Sequence, residues 1–271
     1  MKYACLFLVS IILFVSSAPA SAVAANPDVK TIVKAMKRGL QGPDDAVRIM
    51  NLRVISDGRT VTEWKIVQAN GDATDAHWIL TAVLAPPGAR GIAFLDKEET
   101  KTTSTIKYAY LPATKRVLEF SPVQGYDPFF ATDFSYQDLG FVLLGGGGEK
   151  LTGVETRDGK KVYKLEDHPI NNPYYSKVIS YVATDSLLPI ERDFYDRAGR
   201  AFKIERCTIE AMDGVPTITK IVMNNVNSGG SSEIDVTKVI RNKPTPADIF
   251  DPKRLPEVVD HPFWKTVTQS P

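Results

Sequence analysis

The sequence predicts a mainly β (α+β) protein built on one large antiparallel sheet or barrel. Three observations carry this. From Ala46 onward, short runs rich in β-branched and aromatic residues are separated by turn signals every 8 to 12 residues or so. Dipeptides such as Asp57-Gly58 and Asn70-Gly71 are the kind that join adjacent antiparallel strands. Helical periodicity is confined to one stretch before these runs and a short one in the middle, so the alternation of strand and helix that builds a parallel sheet is missing.

The chain opens with the three parts of a secretory leader: basic Lys2, an apolar run from Leu6 to Val15, and small residues from Ser16 to Ala25. Residues 1–25 are expected to be a cleavable signal peptide, cut near Ala22 to Ala25, and 26–271 a single domain. The apolar run is short of the roughly 18 to 20 residues that span a bilayer as a helix. Cys5 precedes that run, whereas lipidation needs a cysteine after it, so the mature chain is expected to be diffusible and to reach membranes only transiently.

A helix follows. Asn26 suits the N-cap and Pro27 the first helical position, while Asp28 complements the dipole. Val29, Ile32, Val33 and Met36 form one apolar stripe with Lys30, Lys34, Lys37 and Arg38 elsewhere, and Gly39 reads as the stop. Such a stripe packs on a sheet. Candidate strands are Ala46–Ser56, Thr60–Ala69, His77–Leu84, Gly91–Leu95, Ser104–Leu111 and Arg116–Ser121, in meander order. Within the fifth, Ile106, Tyr108 and Tyr110 share one face, opposite Lys107 and Ala109.

Pro122 to Phe134 is irregular and aromatic, and Ser135 to Asp138 has the form of a helix start with Ser135 as cap. The glycines from 145 to 148 close an apolar segment rather than open a helix, so they read as a linker and not a phosphate loop. Strands resume at Lys150–Thr156, Lys161–Glu166, Tyr174–Thr184, Leu188–Tyr195, Ala201–Ala211, Thr217–Val226 and Glu233–Ile240. Pro246–Phe250 reads as a helical turn, and Pro262-Phe263-Trp264 makes the tail aromatic.

Composition narrows the function. The chain is 43% hydrophobic and 24% charged with a formal net charge of +1, and the charges are mixed along it, so it lacks the basic footprint of a nucleic-acid binder. His77, His168 and His261 are dispersed, and one cysteine, Cys207, remains after cleavage; no metal site, disulfide or cofactor is expected. Cys207 lies in an alternating segment and reads as a small buried hydrophobe. No G-x-S-x-G occurs, and no catalytic residue is marked. Apolar and aromatic residues at period 2 stand out instead. A curved sheet with few helices to cover it leaves a cavity, and such residues suit an acyl chain. The candidate lining is Trp64, Ile66, Tyr108, Tyr110, Phe120, Phe129, Phe130, Phe134 and Phe141, with the first helix and the aromatic loop as lid; ordinary core packing is the competing account of each.

Three segments, Tyr110-Leu111-Pro112-Ala113-Thr114-Lys115-Arg116-Val117, Thr132-Asp133-Phe134-Ser135-Tyr136-Gln137-Asp138-Leu139 and Leu188-Pro189 through Asp193-Phe194-Tyr195-Asp196 with Gly199, resemble the outer-membrane lipoprotein-sorting proteins related to the LolA and LolB carriers. The resemblance implies an unclosed β-barrel of about eleven antiparallel strands around a small helical lid, with a hydrophobic cavity that shields lipid in the periplasm. It implies a lipid, a lipoprotein acyl chain or another apolar molecule as ligand, and an envelope exporter or a lipoprotein as partner. With no lipobox, the membrane-anchored role of LolB is not expected. A carrier without covalent chemistry therefore leads, against an enzyme on lipid or glycan and a filled-barrel adaptor that works through its surface or tail.

Overall fold

The computed structural model describes residues 27–41, 45–73, 76–99, 105–121, 123–139, 148–169 and 172–268. The leader expected over 1–25 and Phe141 lie outside the described residues. Helix α1 runs Val29–Gln41 and is capped by Asp28, whose Oδ1 accepts from the Thr31 amide at 2.7 Å. That hydrogen bond holds the Asp28 carboxyl below its usual range. The cap thus falls two residues after the Asn26 expected from sequence. Gly39 does not stop the helix. A Cβ there would lie 2.0 Å from Leu188 Cδ2, so this glycine serves close packing of helix on strand.

Strands β1 (Val47–Ser56), β2 (Arg59–Ala73), β3 (Ala76–Ala85), β4 (Ala93–Glu99), β5 (Thr105–Leu111) and β6 (Arg116–Phe120) precede the aromatic loop. After it come β7 (Lys150–Arg157), β8 (Lys160–Asp167), β9 (Lys177–Ala183), β10 (Pro189–Tyr195), β11 (Ala201–Met212), β12 (Val215–Asn225) and β13 (Ser231–Ile240). Among the described residues they form one antiparallel sheet of thirteen strands in the order β6-β5-β4-β3-β2-β1-β13-β12-β11-β10-β9-β8-β7. The sheet stays open, with β6 and β7 as edges. It has more strands than the eleven or so the resemblance implied, because every run of strand-like sequence pairs into it.

The hairpins follow their turn chemistry. Asp57-Gly58, Asp158-Gly159 and Asp213-Gly214 all have positive φ at both residues, the conformation that matches the twist of two tightly joined strands. Asn70-Gly71 is no turn. β2 continues to Ala73, Asn70 is buried, and a Cβ on Gly71 would lie 2.4 Å from Phe250 Cε2. Gly71 makes room for a ring, a demand no local pattern announces.

The sheet curls. Lys37 of α1 pairs with Glu98 on β4, while Gly39, two residues on, abuts Leu188 beside β10. In a flat sheet those strands would stand about 33 Å apart, seven interstrand steps. The inner face therefore wraps α1, whose Ile32, Met36 and Leu40 are buried against Met50, Leu52, Ile221 and Ile234. The outer face of β1–β5 is covered by the C-terminal segment: 3-10 turns at Ala247–Phe250 and Pro252–Asp260, then helix α3 at Phe263–Thr268; helix α2, Tyr136–Leu139, belongs instead to the aromatic loop on the inner face. Of these, the two 3-10 turns and α3 bury Ile249, Leu255, Val258, Trp264 and Val267 on Val67, Leu80 and Leu95. The aromatic tail is thus core, with Trp264 Nε1 donating to the Val258 carbonyl at 2.5 Å.

Gly71→Ala should destabilise the fold by about 1 to 3 kcal/mol, the usual cost of overpacking. Phe250→Leu should cost less in the Gly71→Ala background than alone, measured by denaturant unfolding. Strictly additive costs would contradict the contact.

Candidate ligand site

The inner face divides into an aromatic half on β1–β6 and an ionic half on β8–β11. The loop from Val123 to Leu139 covers the first. Within it Pro128 forms a bridge with Ser135, and the Phe129 amide donates to the Phe134 carbonyl at 2.8 Å. Phe130 sits at φ 49°, and this left-handed turn sends Phe129 inward while Phe130 stays 40% exposed. Ser135 caps α2 as the sequence predicts, its Oγ accepting from the Asp138 amide at 3.1 Å, and the Ser135 amide returns a hydrogen bond to Asp138 Oδ2 at 2.7 Å. Asp133 anchors the loop to the sheet, accepting from Ser232 Oγ at 2.9 Å and Asn225 Nδ2 at 3.1 Å.

Rings make the rest of the cover. Phe129 meets Trp64 at 5.4 Å, Phe94 at 5.0 Å and Tyr136 at 5.4 Å, all edge to face, and Tyr136 meets Phe120 at 5.1 Å. Each such pair adds about 0.5 to 1.5 kcal/mol beyond area burial. Of the candidate lining, Trp64, Ile66, Phe120, Phe129 and Phe134 come together here, and Phe130 touches Trp64 from the rim at 5.5 Å. Tyr108 and Tyr110 do not join them. They pack with the outer cluster, because Ala109 and Lys107 share the register line of Phe94, Asp96 and Phe120 and so point inward. Phe94 was missed, although its alternation with Ala93 and Leu95 places it on a definite face.

The ionic half is built on β10 and β11. Arg192 Nε and Nη2 donate to Glu205 Oε1 and Oε2 at 2.8 and 2.7 Å, and both side chains are fully buried. Lys203 Nζ lies 3.9 Å from Asp138 and donates to the Tyr175 hydroxyl at 3.4 Å. Burial, and the nearby Asp138 carboxylate, push the Tyr175 phenol well up. Cys207 points at Glu205, and burial raises its thiol, in line with an inert packing role. On β8, Asp167 is buried and neither carboxylate oxygen has a hydrogen bond of good geometry, the His168 amide opposing its desolvation only in part. Burial, reinforced by Glu149, pushes it up to about 7.

Two cavities flank α1. One of about 10 Å³ lies under Met36, lined by Glu149, Leu165, Asp167, Val178, Ser180 and Arg192. The other is an open groove of about 260 Å³ between the end of α1 and β12–β13, bordered by Arg38, Arg48 and Arg241 over Val215, Ile218 and Val239. Arg48 is buried, bonded to Gln68 and donating from Nη1 to the Leu40 carbonyl at 2.7 Å, and desolvation lowers it to about 9. Among the described residues no His, Cys, Asp and Glu group could hold a metal ion, and no helix is long and apolar enough to cross a membrane.

A curled, unclosed antiparallel sheet around one helix defines a LolA-like fold. Residues 75–257 match a family model described as uncharacterized-protein-like, and the chain belongs to that family, DUF1329. No curated protein matches the sequence. Among solved structures, a domain provisionally assigned as an outer membrane lipoprotein-sorting protein, from Vibrio parahaemolyticus, superposes with a TM-score of 0.71 at 22% identity, covering 83% of this chain and 97% of its own. A DUF1329 family protein from Desulfovibrio piger gives 0.70 at 21% identity, covering 84% and 98%. A LolA superfamily protein from Nitrosomonas europaea gives 0.64 at 19%, covering 82% and 96%.

Asp167 makes stability depend on pH with a definite sign. Its folded pKa is raised, so its contribution is complete below about pH 4, where the unfolded carboxyl is also protonated, and is lost as pH rises through about 7. Asp193, held at about 6 by burial beside Glu191, acts in the same direction over a lower range. Asp167→Asn should therefore gain stability relative to the parent between pH 5 and 8 or so. Denaturant midpoints of the two proteins that run parallel across that range would contradict the assignment.

Proposed function

We propose that this protein is a carrier that takes an apolar ligand, a lipid or an acyl chain, onto the inner face of its sheet, where the ligand replaces the aromatic loop. The observation that carries this reading is the nature of the cover. Over β1–β6 the inner face presents Trp64, Ile66, Phe94 and Phe120, and it is capped by rings on a loop rather than by hydrogen-bonded strands. A loop held by side chains leaves without breaking the sheet ladder, and a hydrocarbon chain restores the burial it gave up. Phe129, Phe130 and Phe134 act as the displaceable plug, and the chemistry required is binding alone.

The fold likeness to a domain assigned to lipoprotein sorting and to a LolA superfamily protein supports the reading. So does the leader-like start of the sequence, which directs residues 26–271 as one domain to the periplasm; an envelope exporter or a lipoprotein is the partner this setting supplies. A filled-barrel adaptor is the second reading, favoured by one observation: Phe129 and Phe134 are only 2% and 1% exposed and leave the face they cover occupied.

Native purification followed by organic extraction and mass spectrometry separates the two. The carrier is expected to bring extractable lipid, and delipidated protein to bind a fluorescent naphthylamine probe saturably, with long-chain alcohols displacing it. Absence of lipid together with unsaturable probe uptake would favour the adaptor.

A further inference from the structure

The aromatic half accounts for a hydrocarbon chain and leaves Asp167 unexplained. We propose that the small cavity between α1, β8, β9 and β10 seats the ammonium head of a cationic amphiphile, with Asp167 as its counter-ion and the chain passing beneath α1. This rests on the carrier reading and names the class of its ligand.

Four features converge. Both Asp167 oxygens are buried and accept no hydrogen bond of good geometry, and the neighbouring His168 amide offsets their desolvation only in part, an arrangement that costs free energy until a donor arrives. The cavity of about 10 Å³ is the room of one water-sized group, and an ammonium is of that size. Its walls are Met36, Leu165 and Val178, apolar surfaces suited to the first methylenes of a chain, and Ser180 adds a hydroxyl. Charge sets the sign. Arg192 also borders the cavity, but its charge is matched by Glu205 through Nε and Nη2, and Lys203 lies near Asp138, which leaves Asp167 and Glu149 as acidic excess around the cavity. An anionic head would meet repulsion there and a neutral one would leave the carboxylate's charge uncompensated, whereas a cation both donates to it and neutralises it.

The test is calorimetric titration of the full mature chain with dodecylamine, dodecanol, dodecanoate and butylamine below their aggregation concentrations. Dodecylamine is expected to bind roughly tenfold or more tightly than dodecanol, the scale of a partly buried charge pair, with dodecanoate weakest. Asp167→Asn should abolish the amine's advantage over dodecanol; Glu149→Gln should reduce that advantage in part. Thermal unfolding of both variants controls for folding. Equal affinity for dodecylamine and dodecanol, or an amine preference that survives Asp167→Asn, overturns the head-group assignment while the carrier reading stands. Butylamine binding as well as dodecylamine overturns the amphiphile in favour of a small free amine. Binding of none of the four overturns this inference and the carrier reading together.

Discussion

Curling of one thirteen-stranded sheet around a single short helix is the constraint on which the rest depends. A helix of this length cannot cover so wide an inner face, so the remainder must be covered by something else. The aromatic loop does this on β1–β6, and buried ionic groups reduce the apolar area on β8–β11. The two solutions differ in reversibility. Rings seated on rings are non-directional and exchange for hydrocarbon, whereas the doubly hydrogen-bonded Arg192–Glu205 pair is geometrically exact, and truncating either partner strands a buried charge at a cost of about 3 to 5 kcal/mol. The ionic half therefore holds its shape while the aromatic half is the part that can yield.

Pairing of β1 with β13 distributes these covers. Val47 lies opposite Ile240, so the start of one strand and the end of the other meet at one end of the sheet. From that end α1 takes the inner face and the C-terminal segment the outer, and the amide of Lys243 closes the junction on the Asp45 carbonyl at 2.9 Å. The outer cover packs tightly, with Phe250 in the space left by Gly71 and the Trp264 indole hydrogen-bonded. The opposite faces thus carry covers of different character: a tail locked by fit and a loop held by ring contacts.

Strand alternation and turn dipeptides made the sheet legible in the sequence almost strand by strand, because period 2 and Asp-Gly turns are local properties. The helix start with Ser135 as its cap was legible for the same reason, while the return bond from the Ser135 amide to Asp138 came from the structure. What failed was nonlocal. Gly39 and Gly71 look like punctuation, yet they are spaces for Leu188 and Phe250, residues far away in the chain. Tyr108 and Tyr110 form a clean aromatic stripe, and Lys107 between them looks like the solvent side. The structure reverses this: Lys107 points inward to a buried pair with Asp96, and the tyrosines face the C-terminal cover. Alternation separates two faces without saying which is inside, and in a sheet covered on both sides neither choice is penalised. Arg192, Glu205 and Asp167 were equally opaque, since a charged residue in a strand does not announce its partner or the lack of one.

The central claim is that ligand and aromatic loop compete for one apolar face. Hydrogen–deuterium exchange of delipidated protein, with and without saturating long-chain alcohol, tests it directly. Displacement predicts faster exchange across residues 124–139 when ligand is bound, with the paired amides of β1 and β13 unchanged. Unchanged or slower exchange in that loop at demonstrated saturation would contradict it.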